Sequence, residues 1–173
     1  LVPAGLCFDK GLQLIGTTVV PTGVGNTEYQ VQIMHDLKVT GYTGTPSFLM
    51  TLIERAEALG YVFRHDFHLK RAFVSAEMLP PSLRQRLEEN YGIEVFQGYG
   101  TADLGLVAYE CHCKCGMHVP EEFIMEIVDP ATGKQLAAGE VGEIVISSPN
   151  EVYPLLRLGT GDLSLFTDEP CSC

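Results

Sequence analysis

Two sets of side chains in this sequence could do chemistry. The first is the run Glu110-Cys111-His112-Cys113-Lys114-Cys115-Gly116-Met117-His118 together with Cys171-Ser172-Cys173. Thiolates and imidazoles crowded at alternate positions are ligands for a soft or borderline metal, and zinc in a structural site takes four of them. Cys111, His118, Cys171 and Cys173 would make one closed set of three sulfurs and a nitrogen. Cys113 and Cys115 are equally available as thiolates, and spacing alone does not choose among the five. The bland alternative is a loop of reduced surface thiols. The second set is three short segments rich in glycine, hydroxyls and acids: Gly41-Tyr42-Thr43-Gly44-Thr45-Pro46-Ser47, Ser75-Ala76-Glu77 and Gln97-Gly98-Tyr99-Gly100-Thr101-Ala102-Asp103. Such loops could stack a base on Tyr99, hydrogen-bond a phosphate through Thr101 and hold Mg²⁺ or its waters with Asp103. Each segment alone is also what ordinary turns are made of.

The surrounding pattern decides where these segments sit. Thr17 to Val20 reads as a β-branched strand, followed by a glycine-rich loop and a helix from Thr27 to about Leu37, capped by Asn26 or Thr27. Val39 to Thr43 reads as a second strand, and Phe48, Leu49, Leu52, Ile53, Ala56 and Leu59 recur at helical spacing until Gly60. Lys70 to Ser75 is a third strand, Pro80-Pro81 opens a helix ended by Gly92, and Ile93 to Gln97 is a fourth strand. Strands alternating with amphipathic helices predict an α/β fold with a mainly parallel sheet flanked by helices over residues 1–105. In an open sheet of that kind the ligand crevice lies beyond the carboxyl ends of the strands, where all three glycine-rich segments fall. Residues 106–173 read differently. Strands at Glu122 to Asp129, Val141 to Ser148 and Leu155 to Phe166, separated by turn residues, predict a smaller antiparallel β-rich part.

Composition narrows the function. With 22 acidic against 11 basic residues the net charge is −11, which argues against binding nucleic acid. At 46% hydrophobic and 19% charged, the 173 residues can bury a core and do not read as disordered. No apolar run approaches the ~20 residues of a membrane span, and a cytoplasmic setting is expected. The sequence does not begin with Met, so a piece of a longer protein is expected as well. Cys7, between Leu6 and Phe8, reads as a small buried hydrophobe, while His35, His65 and His68 read as solvated or capping residues.

Taken in order, Pro21-Thr22-Gly23-Val24-Gly25-Asn26-Thr27-Glu28, Gly44-Thr45-Pro46-Ser47, Ser75-Ala76-Glu77, Tyr99-Gly100-Thr101-Ala102-Asp103, Gly139-Glu140-Val141-Gly142-Glu143 and Arg157-Leu158-Gly159-Thr160-Gly161-Asp162 resemble the successive motifs of the acyl-adenylate-forming enzymes, specifically phenylacetate-coenzyme A ligases. The resemblance implies a two-step reaction. An aryl carboxylate attacks ATP to give an acyl-adenylate and pyrophosphate, and the thiol of coenzyme A then displaces AMP. It implies that Ser75, Ala76 and Glu77 border the adenine, with Tyr99 stacking on it and Gly100 and Thr101 beside it. Asp162 would accept both ribose hydroxyls, Asp103 with Thr101 would support Mg²⁺, and Arg157 would help place the phosphate or fix its own loop. The Cys111, His118, Cys171 and Cys173 set also resembles an acid-Cys, Gly-x-His and Cys-x-Cys pattern found in relatives, which implies structural Zn²⁺. A homodimer is suggested by the resemblance alone.

The departures from the family pattern matter equally. Ala102 stands where a Ser or Thr is usual, and Asp103 is one methylene shorter than the commoner Glu. The phosphate loop and the lysine-bearing lid of the family are not among these residues, so no turnover by this chain alone is expected. Two other readings compete: a non-catalytic nucleotide-binding module, and a zinc-stabilised interaction domain.

Overall fold

The computed structural model describes residues 3–173 and falls into two compact units, Leu1–Gly105 and Leu106–Cys173. The first unit begins with helix α1 (Pro3–Leu14), followed by α2 (Thr27–Asp36), β1 (Gly41–Gly44), α3 (Pro46–Ala58), the one-turn α4 (Phe63–Asp66), β2 (Arg71–Val74) and α5 (Pro81–Gln85). A π-helical turn (Arg86–Asn90) leads from α5 into β3 (Glu94–Thr101). Strands β1, β2 and β3 are parallel and adjacent in that order, with Gly44, Val74 and Gln97 aligned across them.

Helix α3 shows why the elements form where they do. Thr45, extended at φ −86°, accepts the Phe48 N–H through its hydroxyl at 3.2 Å, and Pro46 opens the first turn, where its missing N–H costs nothing. Leu49, Leu52, Ile53 and Ala56 then fall on one face and are buried. Burial of a leucine or isoleucine contributes roughly 1.5–3 kcal/mol, so this stripe fixes α3 on the sheet. Val31 and Met34 of α2, Val74 of β2, Val95 of β3, and Leu87 and Ile93 complete the same core.

Within the second unit β4 (Gly105–Glu110) pairs antiparallel with β5 (Met117–His118), and the loop between them carries the cysteine run. β6 (Ile124–Val128), β7 (Gly142–Ser148) and β8 (Leu155–Ser164) form an antiparallel sheet in the order β6-β7-β8. Ile127, Val128, Ile144, Val145 and Ile146 are its buried residues. The α/β reading and the antiparallel second part are therefore both present.

Several local expectations are corrected. Thr17 to Val20 forms no strand. β-branched propensity does not suffice without a neighbouring ladder, and β1 stands at the end of its strand order. The fourth strand does not stop at Gln97 but runs on to Thr101, so Gly98, Tyr99 and Gly100 are strand and only the turn after Thr101 is loop. Cys7 is exposed. The side of α1 that packs presents Phe8, whose ring lies 5.7 Å from that of Phe73, and one residue along a helix is a 100° rotation away. His35 is half-buried rather than solvated, with Nδ1 2.9 Å from Asp36 and its ring 4.9 Å from that of Tyr61.

Candidate functional site

The parallel register places two of the glycine-rich loops side by side at the carboxyl edge of β1 and β2. Ser75 donates its N–H to the Gly44 carbonyl at 3.0 Å, continuing the ladder one residue past the strands. Ala76 then turns at φ +68°, a left-handed conformation unusual for a residue with a Cβ. That turn aims Glu77 back at the start of α3, where its carboxylate accepts the Ser47 hydroxyl at 2.8 Å and the Ser47 N–H at 3.3 Å. A carboxylate there meets the positive end of the helix dipole. Tyr42 lies beneath, half-buried, with its hydroxyl donating to the Thr45 carbonyl at 3.0 Å. Burial, and secondly the negative charge of Glu77, push its phenol well above the usual tyrosine range.

β3 overshoots its neighbours at the same edge. Beyond Gln97, aligned with Val74, it continues through half-buried Tyr99 to Thr101. The Thr101 hydroxyl accepts the Leu104 N–H at 3.1 Å and closes the turn, leaving its own proton to donate, while Asp103 is exposed. Ser75, Ala76, Glu77, Tyr99, Gly100, Thr101 and Asp103 thus share one edge of one sheet. Spacing did not reveal that Ser47 is the anchor of Glu77; its signal was a hydroxyl in the first turn of a predicted helix.

In the second unit β8 carries the remaining residues. Arg157, left-handed at φ +50°, directs its guanidinium to Glu126 Oε1 at 2.8 Å and to the Gly133 carbonyl at 2.9 Å, fastening β8 to β6 and to the turn after it. Glu143 Oε1 accepts the Gly161 N–H at 3.0 Å, the Thr160 hydroxyl donates to the Ile144 carbonyl at 3.0 Å, and the Asp162 N–H donates to the Thr160 hydroxyl oxygen at 3.2 Å. Asp162, exposed, is thereby carried on a stretch of β8 fixed by Glu143 and Ile144 of β7 and by the Thr160 hydroxyl. Sequence reasoning missed the anchoring by Glu126 and Glu143, although Glu143 lay within a quoted motif.

The cysteine cluster is the other feature of this unit. The ligand atoms of Cys111, His118, Cys171 and Cys173 all lie within 4.8 Å of one another. Cys111 Sγ is 3.6 Å from Cys171 Sγ, and Cys173 Sγ is 3.5 Å from His118 Nε2. A zinc ion about 2.3 Å from sulfur and about 2.05 Å from nitrogen gives tetrahedral edges of about 3.8 Å and about 3.6 Å, so the donor set has room for such an ion. The cysteines are free thiols. Cys115 Sγ also lies 3.6 Å from Cys171 Sγ, and Cys113 Sγ lies 3.4 Å from the Ser172 hydroxyl. Hydrogen bonds from the Cys113 N–H and from His118 lower Cys111 to about 6, whereas hydrogen bonding with Cys171 and then Cys111 pushes Cys173 up to about 12. One thiolate is favoured here and further ones are opposed by crowding; a cation among them would reverse that opposition.

A parallel sheet with hydroxyl, acidic and aromatic residues gathered at its carboxyl edge belongs to the class of α/β proteins that seat a small polar ligand at strand ends. Residues 11–153 match the model of the AMP-binding enzyme family, and the chain belongs to that family. Among curated relatives it is 35% identical to a phenylacetate-coenzyme A ligase of Thermus thermophilus over 100% of its own length and 40% of that protein. It is 32% identical to the Escherichia coli phenylacetate-coenzyme A ligase over 95% of the chain and 39% of that protein. The chain therefore spans about 40% of the length of these relatives. Among solved structures, a 2-hydroxyisobutyryl-CoA ligase in complex with 2-HIB-AMP and CoA superposes with a TM-score of 0.84 at 27% identity, covering 92% of this chain and 36% of that one. No helix among the described residues is long and apolar enough to cross a membrane.

Proposed function

We propose that the chain is part of an AMP-forming aryl acid-coenzyme A ligase of the phenylacetate-coenzyme A ligase type. The observation that carries this reading is the 35% identity along the entire chain, with the motif segments of the first unit gathered at one sheet edge. In the reaction a carboxylate oxygen attacks the α-phosphorus of ATP, pyrophosphate departs, and coenzyme A thiol displaces AMP from the acyl-adenylate. Ser75, Ala76 and Glu77 border the adenine and Tyr99 offers the stacking face, with Gly100 beside it. Asp162 accepts both ribose hydroxyls, since vicinal hydroxyls suit a two-oxygen acceptor. Thr101 and Asp103 support Mg²⁺ against the charge developing on the leaving pyrophosphate. Arg157 serves by holding β8, the strand that carries Asp162.

The same reading gives Cys111, His118, Cys171 and Cys173 a structural Zn²⁺. Four protein ligands leave no position for water, so the ion holds the β4–β5 loop to the chain segment at Cys171 rather than taking part in catalysis. Free thiols throughout suit a reducing cytoplasm. The test is acid-dependent ATP–pyrophosphate exchange by the protein that carries this chain, with phenylacetate and a panel of aryl and short alkyl acids. Exchange that falls at least tenfold in D162A supports the assignment; no exchange with any acid overturns it. A second reading, a nucleotide-binding module without catalysis, draws on Ala102 standing beside Asp103, and predicts AMP binding by calorimetry without exchange.

A further inference from the structure

One tetrahedral ion uses four ligands, yet the cluster of the second unit contains three more: His112, Cys113 and Cys115. They are not equivalent. The ligand atoms of Cys111, His112 and Cys113 form a second group in which all lie within 4.8 Å of one another, whereas Cys115 falls outside both groups. The backbone explains how three consecutive residues converge. The Cys113 N–H donates to Cys111 Sγ at 3.4 Å, the Lys114 N–H donates to the Cys111 carbonyl at 3.1 Å, and Lys114 is left-handed at φ +53°. The chain folds into a tight turn around the Cys111 sulfur, with Cys113 and His112 on its rim. Cys113 Sγ also meets the Ser172 hydroxyl at 3.4 Å, which puts an oxygen donor from the other chain segment within reach.

We propose that Cys111, His112 and Cys113 hold a second thiophilic divalent cation, with Cys111 as a thiolate shared between it and the ion of the four-ligand site. The proposal rests on the zinc reading of that first site. Charge supports the pairing. One divalent ion among three thiolates leaves a net −1, and a second ion with the Cys113 thiolate brings four thiolates and two ions to zero. A chain of net charge −11 has no surplus of cations to do this otherwise. The donors are sulfur and imidazole, which suit zinc or cadmium and not magnesium or calcium. Three protein ligands leave one coordination position for water or the Ser172 hydroxyl, so this ion exchanges more readily than the enclosed one.

Zinc titration followed by native mass spectrometry tests the stoichiometry. The wild-type chain is expected to hold two ions at saturation, the first resisting a chelator that removes the second. H112A/C113S is expected to hold one, with an unchanged far-UV circular dichroism spectrum showing that the β-sheets persist. Cobalt(II) supplies a signature that a merely structural role would not produce. A shared thiolate couples two high-spin ions antiferromagnetically, so the paramagnetic resonance signal should rise with the first equivalent and fall with the second. Saturation of the wild type at one ion, retention of two by H112A/C113S, or a signal that keeps rising through the second equivalent would each overturn the proposal. One ion in the wild type that is lost in C171S/C173S would do so while leaving the four-ligand site standing. Two ions in both wild type and C171S/C173S would instead remove the four-ligand site and, with it, this inference.

Discussion

Removing Cys171 and Cys173 from the metal cluster should weaken the second unit by an amount that chain statistics set. Cys111 and Cys171 are 60 positions apart, and the folded unit already holds their sulfurs 3.6 Å from each other. An unfolded chain must close that loop to assemble the same ligands, at a cost of about 4 kcal/mol for a loop on the order of 60 residues. A metal that prefers the folded form by that margin stabilises it by at most the same amount at saturation. The ceiling is lowered to the extent that the local run from Cys111 to His118 binds metal when unfolded. With a urea dependence of about 2 kcal/mol per molar, the zinc-loaded wild type should unfold up to about 2 M above C171S/C173S. Circular dichroism gives the midpoint, and hydrogen exchange localises the loss to β6, β7 and β8. C7S, altering an exposed thiol on α1, should unfold with the wild type. Coincident midpoints for zinc-loaded wild type and C171S/C173S would show that no metal joins these two segments.

Three further perturbations test the packing and electrostatics. A Cβ at Gly142 would press on the Val128 carbonyl and lie 2.6 Å from Leu136 Cδ1, so G142A should cost at least about 1–3 kcal/mol; G11A, in open space within α1, should gain about 0.5–1 kcal/mol, and paired urea curves compare them. Asp129 accepts the N–H groups of Thr132 at 2.9 Å and Ala131 at 2.8 Å, which hold its carboxyl below the ordinary 3.8. Its contribution is therefore complete above the unfolded value and is lost as pH falls through the lower folded one, so the wild-type urea midpoint should fall more steeply below about pH 4 than that of D129N. Y42F should lose the hydrogen bond to the Thr45 carbonyl, at about 1 kcal/mol. It should also lack the late-ionising phenol that alkaline difference absorbance detects in the wild type, and a wild type whose tyrosines all ionise together would refute the burial argument.

The elements that the sequence reveals most plainly are those whose local and global preferences agree. α3 has a cap, a proline at its first turn and an apolar stripe, and its observed start at Pro46 follows from all three. α2 likewise begins at Thr27 behind Asn26, whose side chain accepts the Tyr29 N–H at 3.1 Å. Thr17 to Val20 has propensity alone and forms no strand. β4 and β5 escape the local pattern because Gly105-Leu106 follows the turn-like segment Thr101-Ala102-Asp103 and because β5 is only two residues long. Their pairing depends on a partner across the cysteine loop, which no window of local periodicity can register. The extension of β3 through Gly98, Tyr99 and Gly100 was hidden for a related reason: alternating glycines read locally as loop, and only strand pairing carries them as strand.

The site divides along the same line. Residue types put Glu77 and the Cys111, His118, Cys171 and Cys173 set forward as candidates, because carboxylates, thiols and imidazoles carry recognisable chemistry, while Asp162 was put forward by the family resemblance. What positions them was not legible. Glu77 is held by Ser47 thirty residues earlier, and the stretch of β8 bearing Asp162 hangs on Glu143, eighteen residues before Gly161. Arg157 spends its guanidinium on Glu126 and Gly133. In each case a charged group that a motif marks for ligand contact, or its neighbour, is first engaged with the protein's own backbone or a second side chain. That ordering has a physical reason. A carboxylate or guanidinium that is to stay available must not collapse onto whichever partner is nearest, and fixed local hydrogen bonds set the backbone that carries it. Such anchors are long-range in sequence and short-range in space, so they become visible only when the register of β1 with β2, and of β7 with β8, is known.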